Sequence, residues 1–286
     1  MVSPGAPRFA AVAGMLAAAG AVIALAVLAA VAYGPVACTP MPERAAYPED
    51  FGVRRLVIDA GHGGENEGTK TAWWEFEKNR NLRLAKALAN FLRESGHWDV
   101  KLTRERDVDL PNSERPEIAN AYEADVYLSL HGNGHLRPRR GFGIIWYSAQ
   151  EIPESRELAV TIARRLEAAG FPPDRTMGPV FKERDDPERT PDYQLTEPDL
   201  PVYVRQKSDH KMIYPARMPA VLIETHYLTD LVEAVRFTSE AARRRLFTAL
   251  EAGLVDFLGA HPDRRYPWAA PLKKDEISQN VQKITE

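Results

Sequence analysis

Short aliphatic runs alternate with stretches of helical period from Val53 to Leu258, and that rhythm narrows the fold more than any other property of the chain. Arg55-Leu56-Val57-Ile58-Asp59 has the aliphatic run of a buried strand, and glycines at 61, 63 and 64 stop it and release a loop. Leu82, Ala85, Leu88, Ala89 and Leu92 then recur at helical spacing, with Gly96 where a helix end favours left-handed geometry. Val100 to Arg104 reads as a second strand, Glu114 to Tyr122 as a short helix, Asp125 to Leu130 as a third strand and Gly141 to Tyr147 as a fourth. A helix over Glu154 to Ala169 carries Leu158, Ile162 and Leu166 on one face. Ala220 to Glu224 adds a late strand, and Leu246, Leu250 and Leu254 stripe a last helix over Glu240 to Leu258. The pattern predicts an α/β layer fold in which helices cover a mainly parallel sheet.

Upstream of that region, Tyr33 and Cys38 are the only ionisable side chains between Arg8 and Glu43, and Phe9 to Tyr33 is almost wholly apolar. A bilayer-spanning helix needs about 20 apolar residues, whereas the core of a cleaved signal peptide has about 7 to 15. Residues 1–38 are therefore expected to be a membrane anchor or signal segment, with the uncleaved anchor favoured. Ala30-Val31-Ala32 and Val36-Ala37-Cys38 offer cleavage points, and Cys38 a lipidation point that Pro35 disfavours. In each case the catalytic part is exported. Cys38 is the single cysteine, so no intramolecular disulfide supports the fold. Residues 39–52 read as a tether, 53–260 as one catalytic domain and 261–286 as a polar tail. The 37 basic residues are balanced by 40 acidic ones without a basic patch, which excludes a nucleic-acid binder.

Three strand ends carry residues of metal-ligand type: His62 after the first strand, His131 after the third and Glu224 at the end of the late one. Glu77, at the start of the first long helix, can point to the same place. Ligands of open α/β sheets gather at the carboxyl ends of strands, and two His with one carboxylate are a common set for catalytic zinc.

The words around these residues resemble the signatures of the zinc-dependent N-acetylmuramoyl-L-alanine amidases of the amidase-3 type. Val57-Ile58-Asp59-Ala60-Gly61-His62-Gly63-Gly64 is similar to the first, and Glu77-Lys78 with Asn81-Leu82 to the second. Leu102-Thr103-Arg104, Asp107, Arg115 and Ala119-Asn120 follow between, Ser129-Leu130-His131-Gly132-Asn133 resembles the third, and Pro219 to Thr225 matches the last. The resemblance covers about Val53 to Leu258 and implies a twisted, mostly parallel sheet of about six strands between helices. It further implies Zn2+ on His62, Glu77 and His131, with Glu77 rather than Glu75 as the carboxylate ligand, and Glu224 as catalytic acid/base. The implied substrate is peptidoglycan, cut between N-acetylmuramic acid and L-Ala of the stem peptide, outside the cytoplasmic membrane. His226 and Tyr227 depart from the family's usual Gly-Phe, and Asp230 from its Asn.

Competing readings are a zinc carboxypeptidase or endopeptidase of the stem peptide, and an inactive wall-binding module. A serine hydrolase is disfavoured because no Gly-x-Ser-x-Gly elbow occurs. His226, two residues beyond Glu224, would share its face if the strand continued, although a packed side chain is the commoner fate. Trp73-Trp74 read as core or as a ledge for sugar or peptide, Glu65, Glu67 and Glu75 as a solvated loop face, and Arg104 and Arg115 as ion-pair partners. His97, His135, His210 and His261 read as structural or exposed. Residues 171–214, Pro-rich and dense in carboxylates, are expected to be an inserted loop, a cover over the zinc cleft or a surface decoration, and a segment on which an activator protein would act.

Overall fold

The computed structural model describes residues 40–71, 73–136, 139–147, 152–176, 193–205 and 215–262. The expected anchor or signal segment, most of the 171–214 segment and the tail beyond 262 lie outside the described residues, as does His210. Among the described residues no helix is long and apolar enough to cross a membrane.

Seven strands form one sheet: β1 (Arg54–Ala60), β2 (Trp98–Leu102), β3 (Val126–Asn133), β4 (Gly143–Tyr147), β5 (Tyr193–Leu195), β6 (Val202–Arg205) and β7 (Ala220–Tyr227), in the order β2-β1-β3-β7-β4-β6-β5. Helices α1 (Glu77–Arg93), α2 (Glu114–Ala121), α3 (Glu154–Ala168), α4 (Leu231–Arg236) and α5 (Glu240–Ala260) complete the domain. The block β2-β1-β3-β7 is parallel throughout. β4 then runs antiparallel to β7, and β5 antiparallel to β6.

The sheet has seven strands where the resemblance implied about six and the periodicity named five, and the two unread strands, β5 and β6, come from inside the segment read as a loop. β6 is only Val-Tyr-Val-Arg, buried throughout and preceded by Pro201, and β5 is a three-residue edge strand. Runs so short among charges and prolines carry no usable period, which is why the sequence hid them.

The two sheet faces are unequal. On the larger, Leu56, Ile58, Leu128, Leu130, Val221 and Ile223 pack beneath Leu88 and Leu92 of α1, Leu158 and Ile162 of α3, and Leu250 and Leu254 of α5. On the smaller, Val57, Tyr127, Leu222 and Ile145 meet Ala119 of α2 and Met218. α3 and α5 approach so closely that a Cβ on Gly253 would stand 2.9 Å from the Ile162 Cα. α5 starts at an N-cap, the Ser239 side chain accepting from the Ala242 N–H.

Residues 40–52 depart from the expected free tether. Arg44 Nη2 lies 2.5 Å from Glu251 Oε1 and donates to the Phe91 carbonyl. Tyr47 stacks on His97 at 4.1 Å between centroids and donates to Glu251, and Phe51 is buried. The segment is docked across α1, α5 and the amino-terminal ends of β1 and β2.

Candidate metal centre

β1, β3 and β7 end side by side, which sets the site's geometry. Ala60 pairs with Leu130 across β1 and β3, and His131 pairs with Glu224 across β3 and β7, so two expected site residues are direct neighbours on the sheet. The loop leaving β1 puts His62 in left-handed backbone geometry at φ 62°, a conformation uncommon outside Gly, Asn and Asp.

Two arginines hold that loop. Arg104 donates through Nε to the Ala60 carbonyl at 2.8 Å and through Nη2 to the carbonyls of Gly61 and Lys78. Arg115 donates to the carbonyls of Ala60, His62 and Leu110 and pairs with Asp59 at 2.8 Å. Asp59 is fully buried and also accepts from Thr103 and Ser129. Its burial opposes ionisation, but Arg115 and the two hydroxyls hold its carboxyl below the usual range. Of the expected ion pairs, Arg115 makes one and Arg104 spends its donors on backbone. Arg115→Met should strand the Asp59 charge and cost about 3 to 5 kcal/mol in urea unfolding, with Asp59→Asn added in the double variant recovering part of it. A loss below about 1 kcal/mol would remove the pair from the scaffold.

His62, Glu77 and His131 come together as the only His/Cys/Asp/Glu group of metal-holding geometry among the described residues, their ligand atoms all within 4.8 Å. Glu77 Oε1 stands 3.1 Å from His62 Nε2 and 3.1 Å from His131 Nδ1. Two donors on a tetrahedral zinc with bonds of about 2.0 to 2.2 Å lie about 3.4 Å apart, so these separations fit such an ion with small adjustment. The other ring nitrogen of His62, Nδ1, lies 2.7 Å from Asn66 Oδ1; as the donor there it leaves Nε2 bearing the lone pair a metal needs. Glu77 is further held by the N–H groups of Thr69 and Gly132 and by the Asn81 amide. A Cβ on Gly61 would stand 2.2 Å from His131 Nε2, and one on Gly68 2.6 Å from Glu77 Oε2, so glycine at both positions leaves room for the triad.

The charges are uneven. Burial opposes ionisation of Glu77, yet hydrogen bonds from His131 and His62 outweigh it and hold the carboxyl far below the usual range. Burial keeps His131 below the ordinary imidazole value, whereas for His62 the bond and charge of Glu77 overcome burial and raise it. Glu224 goes the other way: burial, reinforced by the Glu77 charge, pushes it up to about 8. Its Oε2 is buried with no hydrogen-bond partner among the described residues, although the side chain keeps part of its surface open to the cleft.

His226 does not share the face of Glu224. The register jumps from His131↔Glu224 to Asn133↔Tyr227, so β7 carries one extra residue and the alternation breaks there. The His226 ring stacks on Phe237 at 3.8 Å, and Thr225 Oγ1 lies 2.9 Å from its Nδ1. Trp74 is 80% exposed and Trp73 37%, so neither is core. Glu65 and Glu67 are exposed as expected, but Glu75 pairs with Arg83 and Arg80. Asp230 caps α4, accepting from the Glu233 N–H. His97 packs on Tyr47, His135 N–H donates to Thr229, and His261 pairs with Glu157.

Parallel strand ends that gather a His-Glu-His triad beside a second carboxylate poised to hold a proton place the domain among hydrolases built on a metal-type ligand set. The chain belongs to the N-acetylmuramoyl-L-alanine amidase family of the amidase-3 type, whose profile matches residues 56–256. It is 26% identical over 227 residues to N-acetylmuramoyl-L-alanine amidase AmiA of Escherichia coli strain K12, across 72% of this chain and 76% of that protein. The N-acetylmuramoyl-L-alanine amidase from Clostridium difficile 630 shares its fold, with a TM-score of 0.57 at 23% identity over 73% of this chain and 98% of that one. The catalytic domain of CwlV from Bacillus (Paenibacillus) polymyxa var. colistinus does so with a TM-score of 0.56 at 24% identity, over 72% and 99% of the two chains.

Proposed function

We propose that this amidase hydrolyses the amide between the lactyl group of N-acetylmuramic acid and the L-Ala that begins the stem peptide, with zinc on His62, Glu77 and His131 and with Glu224 as acid/base. The observation that carries the reading is the convergence of His62 Nε2 and His131 Nδ1 on one Glu77 oxygen, next to a carboxylate with an unpartnered oxygen. Zinc held by these three residues would supply Lewis acidity, which lowers the pKa of water from 15.7 to about 7 and polarises a carbonyl.

The chain's own residues do the rest. Asn66 orients the His62 ring, and Thr69, Asn81 and Gly132 fix the Glu77 carboxylate. Glu224, paired with His131 across β3 and β7 and with Oε2 unpartnered among the described residues, takes the proton of the attacking water and returns it to the departing amine nitrogen. The substrate places this work outside the cytoplasmic membrane, where the exported-domain reading of the N-terminal segment also puts it.

Product analysis on purified muropeptides tests the reading. Intact stem peptides beginning with free L-Ala, together with sugars bearing free lactyl groups, are the expected products. Shortened stem peptides still attached to sugar would replace it with a carboxypeptidase or endopeptidase activity.

A further inference from the structure

A cavity of about 640 Å³ adjoins the centre just described, and neither the triad nor Glu224 lines it. It lies between α1 and the stretch from Thr225 to Arg243, and its walls include Arg80, Arg83, Lys86 and Arg243. Glu75 is the only carboxylate among the described residues lining it, in a chain whose formal net charge is -3. This concentration of positive charge in a concave site is what an anionic ligand requires, and the volume is that of a small-ligand pocket.

Arg80 is the residue best placed to receive the anion. It lies one helical turn beyond Glu77, its guanidinium carbon 5.8 Å from the Trp73 ring centroid. One Nη2 hydrogen is directed at His226 Nε2 at 3.3 Å. The ring accepts there because its Nδ1–H donates to Thr225 Oγ1, whose own proton goes to the His131 carbonyl. Burial and the charges of Arg80 and Arg236 keep that ring neutral. The nearest carboxylate oxygen is Glu75 Oε2 at 3.8 Å from Arg80 Nη1, and the other Glu75 oxygen is taken by Arg83. A guanidinium has five N–H donors, so Arg80 keeps several for a carboxylate, in the fork geometry that suits bidentate recognition.

The cavity borders the reaction centre at three buried side chains. Asn81 lines it while bonding Glu77, and Thr225 and His226 line it directly after Glu224 in the strand. Two extended residues span about 7 Å. A stem peptide whose second residue continues through its side-chain carboxyl keeps that residue's α-carboxylate free, about two extended residues from the cut amide.

We propose that the Arg80 cavity is the stem-peptide subsite, in which Arg80 binds a free carboxylate one residue beyond the cleaved amide while Arg83, Lys86 and Arg243 supply the surrounding positive field. This rests on the amidase reading above. It makes charge on the stem peptide the specificity determinant and assigns His226 as the positioning residue that holds the Arg80 fork.

Two soluble muropeptides that differ only in having a free or an amidated α-carboxylate on the second stem residue test it. The wild-type zinc enzyme is expected to favour the free acid by about tenfold to a hundredfold in kcat/KM, the range of one hydrogen-bonded charge contact, and mostly through KM. In Arg80→Gln the ratio should fall to near one, and Arg80→Lys should restore part of it. Lys86→Gln combined with Arg243→Gln should lower the ratio less and weaken its salt dependence. Direct calorimetry with the released stem tripeptide, free acid against amide, reads the same contact without turnover and covers the case in which Arg80→Gln folds poorly. Equal wild-type rates on both substrates, with equal tripeptide affinities, overturn the proposal and leave the basic wall to an acidic protein partner. An unchanged ratio in a folded, zinc-loaded Arg80→Gln overturns it also. Failure to cut either muropeptide, with the tripeptide still bound in the free-acid form, would instead overturn the amidase reading and leave the anion site standing.

Discussion

His131→Ala is expected to lose zinc and turnover together. The side chain supplies one of only three protein bonds to the proposed ion, and structural and catalytic zinc sites with two protein ligands are rarely retained. It is also the centre of the packing: Gly61 lies against its ring, Thr225 bonds its carbonyl, and Glu77 lies 3.1 Å from its Nδ1. Metal analysis after gel filtration should therefore fall from about one zinc per chain to below about 0.1, and amidase activity to background. Equimolar zinc retained by the variant would sink the ligand assignment, whatever the rate.

Glu224→Gln should behave in the opposite way toward metal and in the same way toward rate. Zinc is kept, because the residue is assigned to proton transfer, and kcat falls by about 10²- to 10⁴-fold. The same change has a second, independent signature in metal-free protein. The folded pKa of about 8 lies above the ordinary carboxylate value of about 4.3, so the folded chain binds this proton more tightly than the unfolded chain does. Stability from this group is thus fully present below about pH 4 and is lost as pH rises through 8. Allowing for the part of Glu224 that faces the open cleft, the loss amounts to about 2 to 3 kcal/mol. Chelated wild type should therefore melt several degrees below chelated Glu224→Gln at pH 8.5 and level with it at pH 4. Parallel melting curves across that range would show that Glu224 ionises normally, and wild-type turnover would remove it from the reaction.

That His62, His131 and Glu224 gather was legible because each follows or ends a strand, where parallel sheets place ligands, whereas Glu77 stood out at the start of the first long helix and through the family resemblance. The main helices and the parallel half of the sheet were legible by period, as Leu82 to Leu92 and Leu56 to Ile58 repeat at the spacing of their elements. What escaped depends on contacts far apart in sequence or on irregular backbone. Arg104 and Arg115 looked like surface ion-pair residues, yet they reach back 43 to 55 residues to hold the carbonyls of Ala60, Gly61 and His62. Asn66 and Asn81 give no periodic signal, since their value lies in orienting a neighbour. The extra residue in β7 takes His226 off the Glu224 face and leaves its ring packed on Phe237, the commoner fate named for it, because a bulge shifts every alternation argument beyond it. β5 and β6 are too short for any period to register.

The docking of residues 40–52 fixes where the chain enters the domain. Those residues lie at the amino-terminal edge of β1 and β2, while the triad stands at the carboxyl-terminal edge, about 20 Å away along a seven-residue strand. The Arg44 clamp on Glu251 removes slack that a free linker would have provided. The chain therefore enters the domain on the side opposite the triad, with little freedom between the two.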